Sequence, residues 1–315
     1  MESKLLSTTS AASLRHPRSN VSKQTFSRLQ FPPSRFLSNG ILTNQPSSAT
    51  ALRCMPKRRV DKSQMYTLEG IRESLVWQEE RIIFCLVDRT QFCYNAPTYY
   101  PHGFTKDGFR GSIVEYVVKE TEKIQAKAGR YASPYERPFF PDILPKPLFA
   151  PLEYPQVLHP AADVININFQ VWNMYFRNLL PGLVKEGDDG NYGSAALLDA
   201  LCLQTLSKRI HYGKFVAEAK FQASPDVYKA AIIEKDGGQL MDLLTYETVE
   251  DTITKRVELR TRKHGQEEIL CECTGEVSME PVYKINPSIV GELYRQWIMS
   301  LTKQVQVEYL LRRLD

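Results

Sequence analysis

The stretch Gly193–Gln222 reads GSAALLDALCLQTLSKRIHYGKFVAEAKFQ. It contains no proline, and its apolar side chains recur at helical spacing, which predicts one long amphipathic helix. The apolar stripe of this helix comprises Leu197, Leu201, Leu206, Ile210, Phe215, Val216 and Phe221. We therefore expect a long central helix whose stripe faces the core.

Two cations, Arg209 and Lys220, lie among these apolar residues. They are 11 residues apart in the sequence, which is about three turns, so both side chains leave nearly the same face of the helix. A Lys or Arg in such surroundings is rarely fully buried without an anionic partner. Two interpretations remain open. The cations reach the surface or pair with Asp or Glu, or they line a pocket for a small dianion.

Charge is distributed unevenly along the 315 residues, whose net charge is +4. Residues 1–60 contain ten Lys or Arg and one acidic residue, which leaves 30 basic and 35 acidic residues in the remainder. The basic excess belongs to the leader, so the usual ground for predicting nucleic-acid binding is absent. No apolar run approaches the ~18 residues that a membrane-spanning helix needs, so we expect no membrane association.

The leader, residues 1–54, is rich in Ser and Thr, carries scattered Arg and Lys, and has almost no acidic residues. This composition is typical of a transit peptide, and its many hydroxyl residues favour a chloroplast address. An ordinary disordered tail is the alternative. We expect residues 1–54 to be unstructured and residues 55–315 to form a single domain.

Capping and proline signals divide the rest of the chain into helices. Thr67 is a plausible N-cap, Gly129 reads as a helix terminator, and Asn191 and Asn286 can cap later helices. Eight prolines between residues 133 and 160 exclude helix or central strand and predict an extended segment packed on the body. Helices are predicted over residues 67–92, 112–129, 162–185, 193–222, 239–244, 248–263 and 286–314, with a short one opening at Pro225. In the 162–185 helix, the residues expected to face inward are Ile165, Phe169, Trp172, Phe176 and Leu179.

Motifs of several enzyme classes are absent from the sequence. There is no βαβ alternation, no G-x-G-x-x-G, no P-loop, no H-E-x-x-H and no G-x-S-x-G. The histidines lack metal-ligand spacing, and Cys271-x-Cys273 lacks a second ligand pair, so we predict no metal site. Cys85, Cys202 and His211 are interpreted as packing residues. The predicted fold class is all-α, a multi-helix bundle.

Four further polar residues have ordinary local interpretations when each is taken alone. Arg72 lies beside the apolar seam of its helix and reads as a surface arginine. Thr302 and Gln306 are at i and i+4 and read as a local hydrogen bond. Glu250 is near a helix start, where a carboxylate suits the helix dipole.

Taken together, the segments resemble the all-α chorismate mutases of plants and fungi, over about residues 59–315. The matching stretches are TLEGIR (67–72), SPYERPFFPD (133–142), GDDGNYGS (187–194), SKRIHYGKFVAEAKFQ (207–222) and VEYLLRRLD (307–315). The resemblance implies isomerisation of chorismate, a compact dianion, to prephenate. This Claisen rearrangement needs no nucleophile, proton transfer, metal or cofactor. Catalysis then comes from holding a chair-like conformer and stabilising charge as the C–O bond breaks.

The resemblance also implies which residues bind the carboxylates. It places Arg72 and Arg209 on the two carboxylates of the substrate, where guanidinium forks suit planar anions. Thr302 falls beside a carboxylate. These roles are expectations from the family pattern.

The remaining implied contacts are with the reacting atoms and the ring. Lys220 and Gln306 fall at the ether oxygen, which gains negative charge, and Glu250 falls at the ring hydroxyl. Fungal members carry a glutamate at the position of Gln306, and that glutamate donates only when protonated. Because an amide donates at any pH, we expect a broad activity profile through neutral and mildly alkaline pH. Tyr246, where fungal members have a polar residue, is interpreted as a packing tyrosine.

Regulation is implied by the same resemblance. In regulated members an aromatic amino acid binds at a dimer interface, and the corresponding positions are Asn191, Gly193 and Ser194, with Gly129 and Arg130 across the interface. Free N–H groups at a helix start suit a carboxylate. The alternative is that both glycines merely begin and end helices. We expect a plastidial homodimer activated by tryptophan and inhibited by tyrosine or phenylalanine.

Two other function classes remain to be tested. One is a catalytically inactive helical dimer that binds aromatic amino acids as a regulatory module. The other is a helical scaffold whose cationic face meets an acidic partner. A chorismate-disappearance assay separates the first from the enzyme, and binding of a prephenate-like bicyclic dianion separates the second.

Overall fold

The computed structural model describes residues 67–102, 109–150, 152–266 and 282–315. Within these ranges the chain is helical, and its only β-type pairing is one bridge between Gln266 and Tyr283. The all-α prediction is confirmed for these residues. The α-helices are α1 Leu68–Arg89, α2 Ile113–Lys127, α3 Asn168–Met174, α4 Leu180–Leu183, α5 Tyr192–His211, α6 Gly213–Ala223, α7 Pro225–Ile233, α8 Gly237–Leu244, α9 Glu247–Gly265, α10 Pro287–Glu292 and α11 Met299–Leu310. Two π-helical turns, Tyr175–Leu179 and Leu293–Ile298, join α3 to α4 and α10 to α11.

Some predictions lie outside the described residues. These are the transit peptide over residues 1–54, the domain boundary that follows it, and the Cys271-x-Cys273 pair. Among the described helices, none is long and apolar enough to cross a membrane.

Local sequence signals set several helix ends as predicted. The Thr67 hydroxyl accepts a hydrogen bond from the first turn of α1 at 3.2 Å. The Asn286 side chain accepts one from the first turn of α10 at 3.0 Å. Gly129 follows α2 with φ +89°, a left-handed conformation that favours glycine. Caps of this kind satisfy backbone groups that the helix leaves unpaired.

The predicted central helix is divided at Tyr212 into α5 and α6. Gly213 begins α6 at a close approach to α11, because a Cβ there would lie 2.9 Å from the backbone oxygen of Thr302. The predicted apolar stripe is buried or partly buried from Leu206 onward. Leu197, however, is 60% exposed, so the inward prediction for this residue is wrong.

The helix predicted over 162–185 begins later, at Asn168. Ile165 is buried but precedes the helix. The prediction counted inward-facing positions from Ile165 as if it were helical, and that count is wrong. Phe169, predicted to face inward, is 78% exposed, whereas Val171 and Tyr175 are fully buried.

The proline-rich segment packs on the body through buried polar anchors. Glu122 is fully buried on α2 and accepts hydrogen bonds from the backbone N–H groups of Phe139 and Phe140 at 2.7 and 3.0 Å. His211 is also fully buried, and its Nε2 accepts from the backbone of Ile167 at 3.0 Å, in agreement with the packing interpretation. Cys85 and Cys202 are buried as predicted.

The C-terminal turn fixes α11 against α6. Arg313 donates to both carboxylate oxygens of Glu218, at 2.6 and 3.0 Å. The Tyr309 hydroxyl donates to the same carboxylate. Because bidentate Arg–carboxylate pairs fix geometry as well as adding energy, this pair sets the position of α11 along α6.

Candidate active site

A cavity of about 590 Å³ lies among α1, α5, α6, α7, α8, α9 and α11. Its volume falls in the range of about 300–1,000 Å³ that is usual for small-molecule sites. Residues from seven helices line it, and they include all six side chains that the sequence singled out. These are Arg72, Arg209, Lys220, Glu250, Thr302 and Gln306. The structure therefore brings together residues that lie up to 234 positions apart in the chain.

Arg209 is the most deeply placed cation of the cavity and is only 4% exposed. Among the described residues, neither its Nε nor its Nη1 has a hydrogen-bond partner. A buried guanidinium without an anion carries a large desolvation cost. The surface alternative is therefore excluded for Arg209, and the geometry favours a pocket that receives an anion.

Lys220 is partly buried and is held by two contacts. Its Nζ donates to the backbone oxygen of Leu244 at 3.3 Å and lies 4.8 Å from the ring centre of Tyr246. Desolvation lowers the pKa of Lys220 to about 8, and the nearby charges of Arg72 and Lys303 act in the same direction. The ammonium is thus charged at neutral pH but titrates well below an ordinary lysine.

Tyr246 itself corrects a prediction. It was expected to be a packing tyrosine, yet its side chain is 51% exposed and lines the cavity. Tyr246 is the N-cap residue of α9, and its backbone is non-helical (φ −131°, ψ 89°). An exposed ring at a cavity wall cannot be explained by core packing.

Glu250 forms an ion pair that the sequence interpretation missed. Lys303 Nζ lies 2.9 Å from Glu250 Oε1 and also donates to the Thr245 hydroxyl at 3.2 Å. The sequence contains a signal for Lys303 as a cavity residue. Lys303 is three residues before Gln306 and therefore lies on the same side of the helix. Lys303 adds a fourth cation to a cavity whose lining contains one carboxylate.

Thr302 and Gln306 are both buried on α11, at 6% and 5% exposure. The Thr302 hydroxyl donates to the backbone oxygen of Ile298 at 2.5 Å, so the local bond goes to the backbone and not to Gln306. Among the described residues, Gln306 Oε1 has no hydrogen-bond partner. Unpaired buried polar atoms are costly, and here two residues that carry them face one cavity.

Arg72 lies on α1 at the cavity wall and is exposed to solvent. Taken alone it is the surface arginine that its sequence position indicates. Its place in the cavity lining nevertheless puts a second guanidinium within the same space as Arg209. The cavity lining thus combines one exposed and one buried guanidinium.

The residues predicted to bind effectors lie elsewhere. None of them lines this cavity. Arg130 donates to Gln204 on α5 at 3.0 Å, and Gln204 is 11 residues after Gly193. At ~1.5 Å per residue, the two parts are about 16 Å apart along the helix. One chain therefore does not join them into a single site.

The start of α5 also differs from its prediction. Asn191 occupies the N-cap position, but no side chain caps the helix there. The Asn191 side chain instead donates to the Asp189 backbone oxygen at 3.4 Å. The first turn of α5 is therefore open to an anionic group from elsewhere.

The chemistry available in the cavity is electrostatic. Four cations and a buried amide surround a space whose other walls are largely apolar. Apolar walls strengthen charge interactions by excluding water. Such a site suits a small dianion whose charge shifts during reaction.

Known proteins resemble this chain strongly. A sequence profile described as chorismate mutase type II matches residues 191–307. The protein named Chorismate mutase 1, chloroplastic, from Petunia hybrida is 62% identical over 270 residues, which cover 85% of this chain and 82% of that protein.

Solved structures agree with this similarity. A crystal structure of AtCM1 with phenylalanine bound in an allosteric site is 63% identical, has a TM-score of 0.75, and covers 82% of this chain and 100% of that one. The same values hold for AtCM1 with tyrosine bound in the allosteric site. A crystal structure of Aro7p chorismate mutase from Candida albicans, in complex with L-Trp, is 35% identical with a TM-score of 0.73 and covers 79% of this chain and 92% of that one.

Proposed function

The chain belongs to the chorismate mutase family, and we propose that it isomerises chorismate to prephenate in the cavity described above. The observation that supports this site is the burial of Arg209, which lines the cavity with the other expected residues and has two nitrogens without a hydrogen-bond partner among the described residues. An anionic substrate would supply the partner that Arg209 lacks in the described residues. The enzyme is thus an isomerase of phenylalanine and tyrosine biosynthesis.

In this proposal the two guanidiniums bind the two carboxylates. Arg209 provides a fixed, buried fork, and Arg72 provides an exposed one that closes over the second carboxylate. Thr302 lies beside a carboxylate and must rotate its hydroxyl away from the backbone oxygen of Ile298 to donate to it. Fixing both carboxylates holds the substrate in the folded conformer that reacts.

The reacting atoms are assigned to Lys220 and Gln306. Both donate to the ether oxygen, which becomes more negative as its bond to carbon breaks. Glu250 accepts a hydrogen bond from the ring hydroxyl. Because Lys303 occupies Glu250 Oε1, the other carboxylate oxygen remains available for the hydroxyl.

The direct test is turnover. We expect the full chain, and the chain lacking residues 1–54, to consume chorismate and release prephenate in a single unimolecular step. Absence of turnover together with binding of aromatic amino acids would favour the inactive regulatory module. A chain that ignores a prephenate-like bicyclic dianion would instead favour the helical scaffold.

The activity is expected to have an alkaline limit set by Lys220. The pKa of this lysine is lowered to about 8, chiefly by desolvation. The charged form is the one that donates, so kcat/KM falls as pH rises through about 8 and is unaffected below it. A bound dianion stabilises the ammonium, so the limb in kcat lies at higher pH. Rate profiles between pH 5 and 10 check this, and a sharp loss between pH 5 and 7 would contradict it.

Regulation is proposed to use a second copy of the chain. The two parts of the expected effector site are about 16 Å apart within one chain. Large apolar residues are also exposed on the adjoining helices α1, α2 and α5: Trp77 at 73%, Ile124 at 69% and Leu197 at 60%. A homodimer would cover these residues and bring Asn191, Gly193 and Ser194 towards Gly129 and Arg130 of its partner. The proposed ligands are tryptophan as activator and tyrosine or phenylalanine as inhibitor.

Replacing Gly193 with aspartate tests this effector site. Gly193 is exposed on the first turn of α5, and an added Cβ would meet nothing within 4 Å. An acidic residue near a helix start is favourable, so the Tm should not fall. We expect the ratio of turnover with and without each amino acid to approach one, because the new carboxylate repels the effector carboxylate.

Gly193→Ala is the matched control, since it adds a Cβ without charge. It should retain more of the response than Gly193→Asp. An unchanged response in Gly193→Asp would remove Gly193 from the effector site. Light scattering on the same samples reports whether the dimer persists.

The protein is a chloroplast enzyme. The Petunia hybrida relative is named chloroplastic, and residues 1–54 have the composition of a transit peptide. We propose that this leader is removed on import.

A further inference from the structure

The Lys220 ammonium is held from one side by the short connection between α8 and α9. Leu244 ends α8, and its backbone oxygen accepts from Lys220 Nζ at 3.3 Å. Two residues later, the ring of Tyr246 lies with its centre 4.8 Å from the same Nζ. One carbonyl and one ring face therefore orient it.

The Tyr246 ring is itself anchored from behind. Tyr228 on α7 is only 3% exposed, and its pKa is raised chiefly by desolvation and also by its interaction with Tyr246. A half-exposed tyrosine would otherwise sample several rotamers. The neighbouring buried side chain of Tyr228 limits these rotamers.

Among the described residues, no carboxylate is paired with the Lys220 ammonium at the position of the Tyr246 ring. Glu250 lines the same cavity, but its Oε1 is paired with Lys303 at 2.9 Å. A carboxylate against Lys220 would neutralise its charge and occupy its donors. A ring face attracts the cation without accepting a conventional hydrogen bond, so two of the three N–H groups stay free.

We infer that Tyr246 is a positioning residue for the isomerisation, whose ring holds the Lys220 ammonium charged and directed into the cavity. This inference rests on the proposed role of Lys220 at the ether oxygen. It gives Tyr246 a function that the packing interpretation does not provide. Tyr246 acts through Lys220 and need not touch the substrate.

Several charged groups share the environment of Lys220. Glu250 on α9 favours the ammonium, whereas Arg72 on α1 and Lys303 on α11 disfavour it. Arg209 on α5 faces the same cavity. None of these groups is altered by changing Tyr246. A leucine at this position keeps an apolar wall but removes the ring face, so the balance shifts towards the neutral amine.

The first experiment compares Tyr246→Leu with Tyr246→Phe in the full chain. Loss of the ring is expected to lower kcat about 3- to 30-fold and to move the alkaline limb of kcat/KM down by about half a pH unit. Tyr246→Phe keeps the ring and should stay within about threefold with an unmoved limb. The inference would be overturned if the alkaline limb of kcat/KM did not move in Tyr246→Leu. It would also be overturned if both variants lost kcat to the same extent.

A double-mutant cycle makes the assignment specific. Tyr246→Leu is combined with Lys220→Met, and kcat/KM is measured for all four proteins. If Tyr246 acts through Lys220, its replacement has no further effect once the ammonium is gone. The same fold-loss in both backgrounds would refute the inference while leaving the role of Lys220 intact. Parent-like activity of Lys220→Met alone would instead refute the proposed role of Lys220, and the inference with it.

Discussion

Arg209→Ala is expected to lower kcat/KM by at least about 10³-fold without destabilising the protein. The guanidinium is 4% exposed, and two of its nitrogens lack partners in the described residues. Removing it therefore eliminates a desolvated charge from the folded state as well as the fork for one substrate carboxylate. The truncated side chain opens onto the existing cavity, where water fills the space. We expect the Tm to stay equal or to rise.

Two other variants make this result interpretable. Arg209→Lys keeps the charge but loses the planar fork, and it should recover only part of the activity. Arg177→Ala removes an exposed arginine outside the cavity and should change kcat/KM by less than about twofold. Steady-state kinetics and thermal melts on all three variants measure the changes in kcat/KM and in Tm. If Arg209→Ala lost stability in proportion to its activity, Arg209 would be a structural residue.

The opposing trends in activity and stability distinguish a binding residue from a packing residue. Removing one partner of a buried ion pair strongly destabilises the folded protein. Removal of Arg313, which would leave Glu218 unpaired, is such a case. Arg209 has no such partner in the described part of the chain. We therefore infer that the Arg209 side chain serves to bind a ligand. The desolvation of its guanidinium lowers the stability of the free protein, and binding of the dianion offsets this cost.

Residues with local signals were predictable from the sequence. Thr67 and Asn286 cap their helices because their side chains reach backbone N–H groups within the same turn. Gly129 ends α2 because the left-handed conformation it adopts favours glycine. The six expected cavity residues came from the family resemblance, and the folded chain places all of them in one lining.

Residues that depend on tertiary contacts were not predictable. Counting Ile165 in the same helix places Phe169 in the core, yet Ile165 has an extended backbone and α3 begins only at Asn168. Leu197 continues an apolar stripe but lies where the chain provides no cover. Lys303 and Tyr246 acquire their roles from partners on other elements. Sequence periodicity indicates which residues share a face of a helix, but it does not indicate which other elements that face contacts.

Gln306→Glu is expected to make the enzyme depend on acid. Gln306 is 5% exposed on α11, and its amide is assigned to the ether oxygen of the substrate. An amide donates at every pH, whereas a carboxyl group donates only when protonated. At pH 8 the ionised glutamate would place negative charge against an oxygen that is itself becoming negative. We expect kcat/KM to fall by about 10²-fold or more there and to recover as pH is lowered towards 5.

The control for this change is Gln304→Glu. Gln304 lies on the same helix, outside the cavity lining, where its amide donates to Glu308 at 3.1 Å. This variant carries the same added charge and should keep the parent pH profile. Profiles of kcat/KM between pH 4.5 and 9 compare the three proteins. A Gln306→Glu profile parallel to that of the parent would mean that residue 306 does not donate to the reacting oxygen. Stabilisation of the charge on the ether oxygen would then be assigned to the Lys220 ammonium, whose pKa is lowered to about 8 chiefly by desolvation.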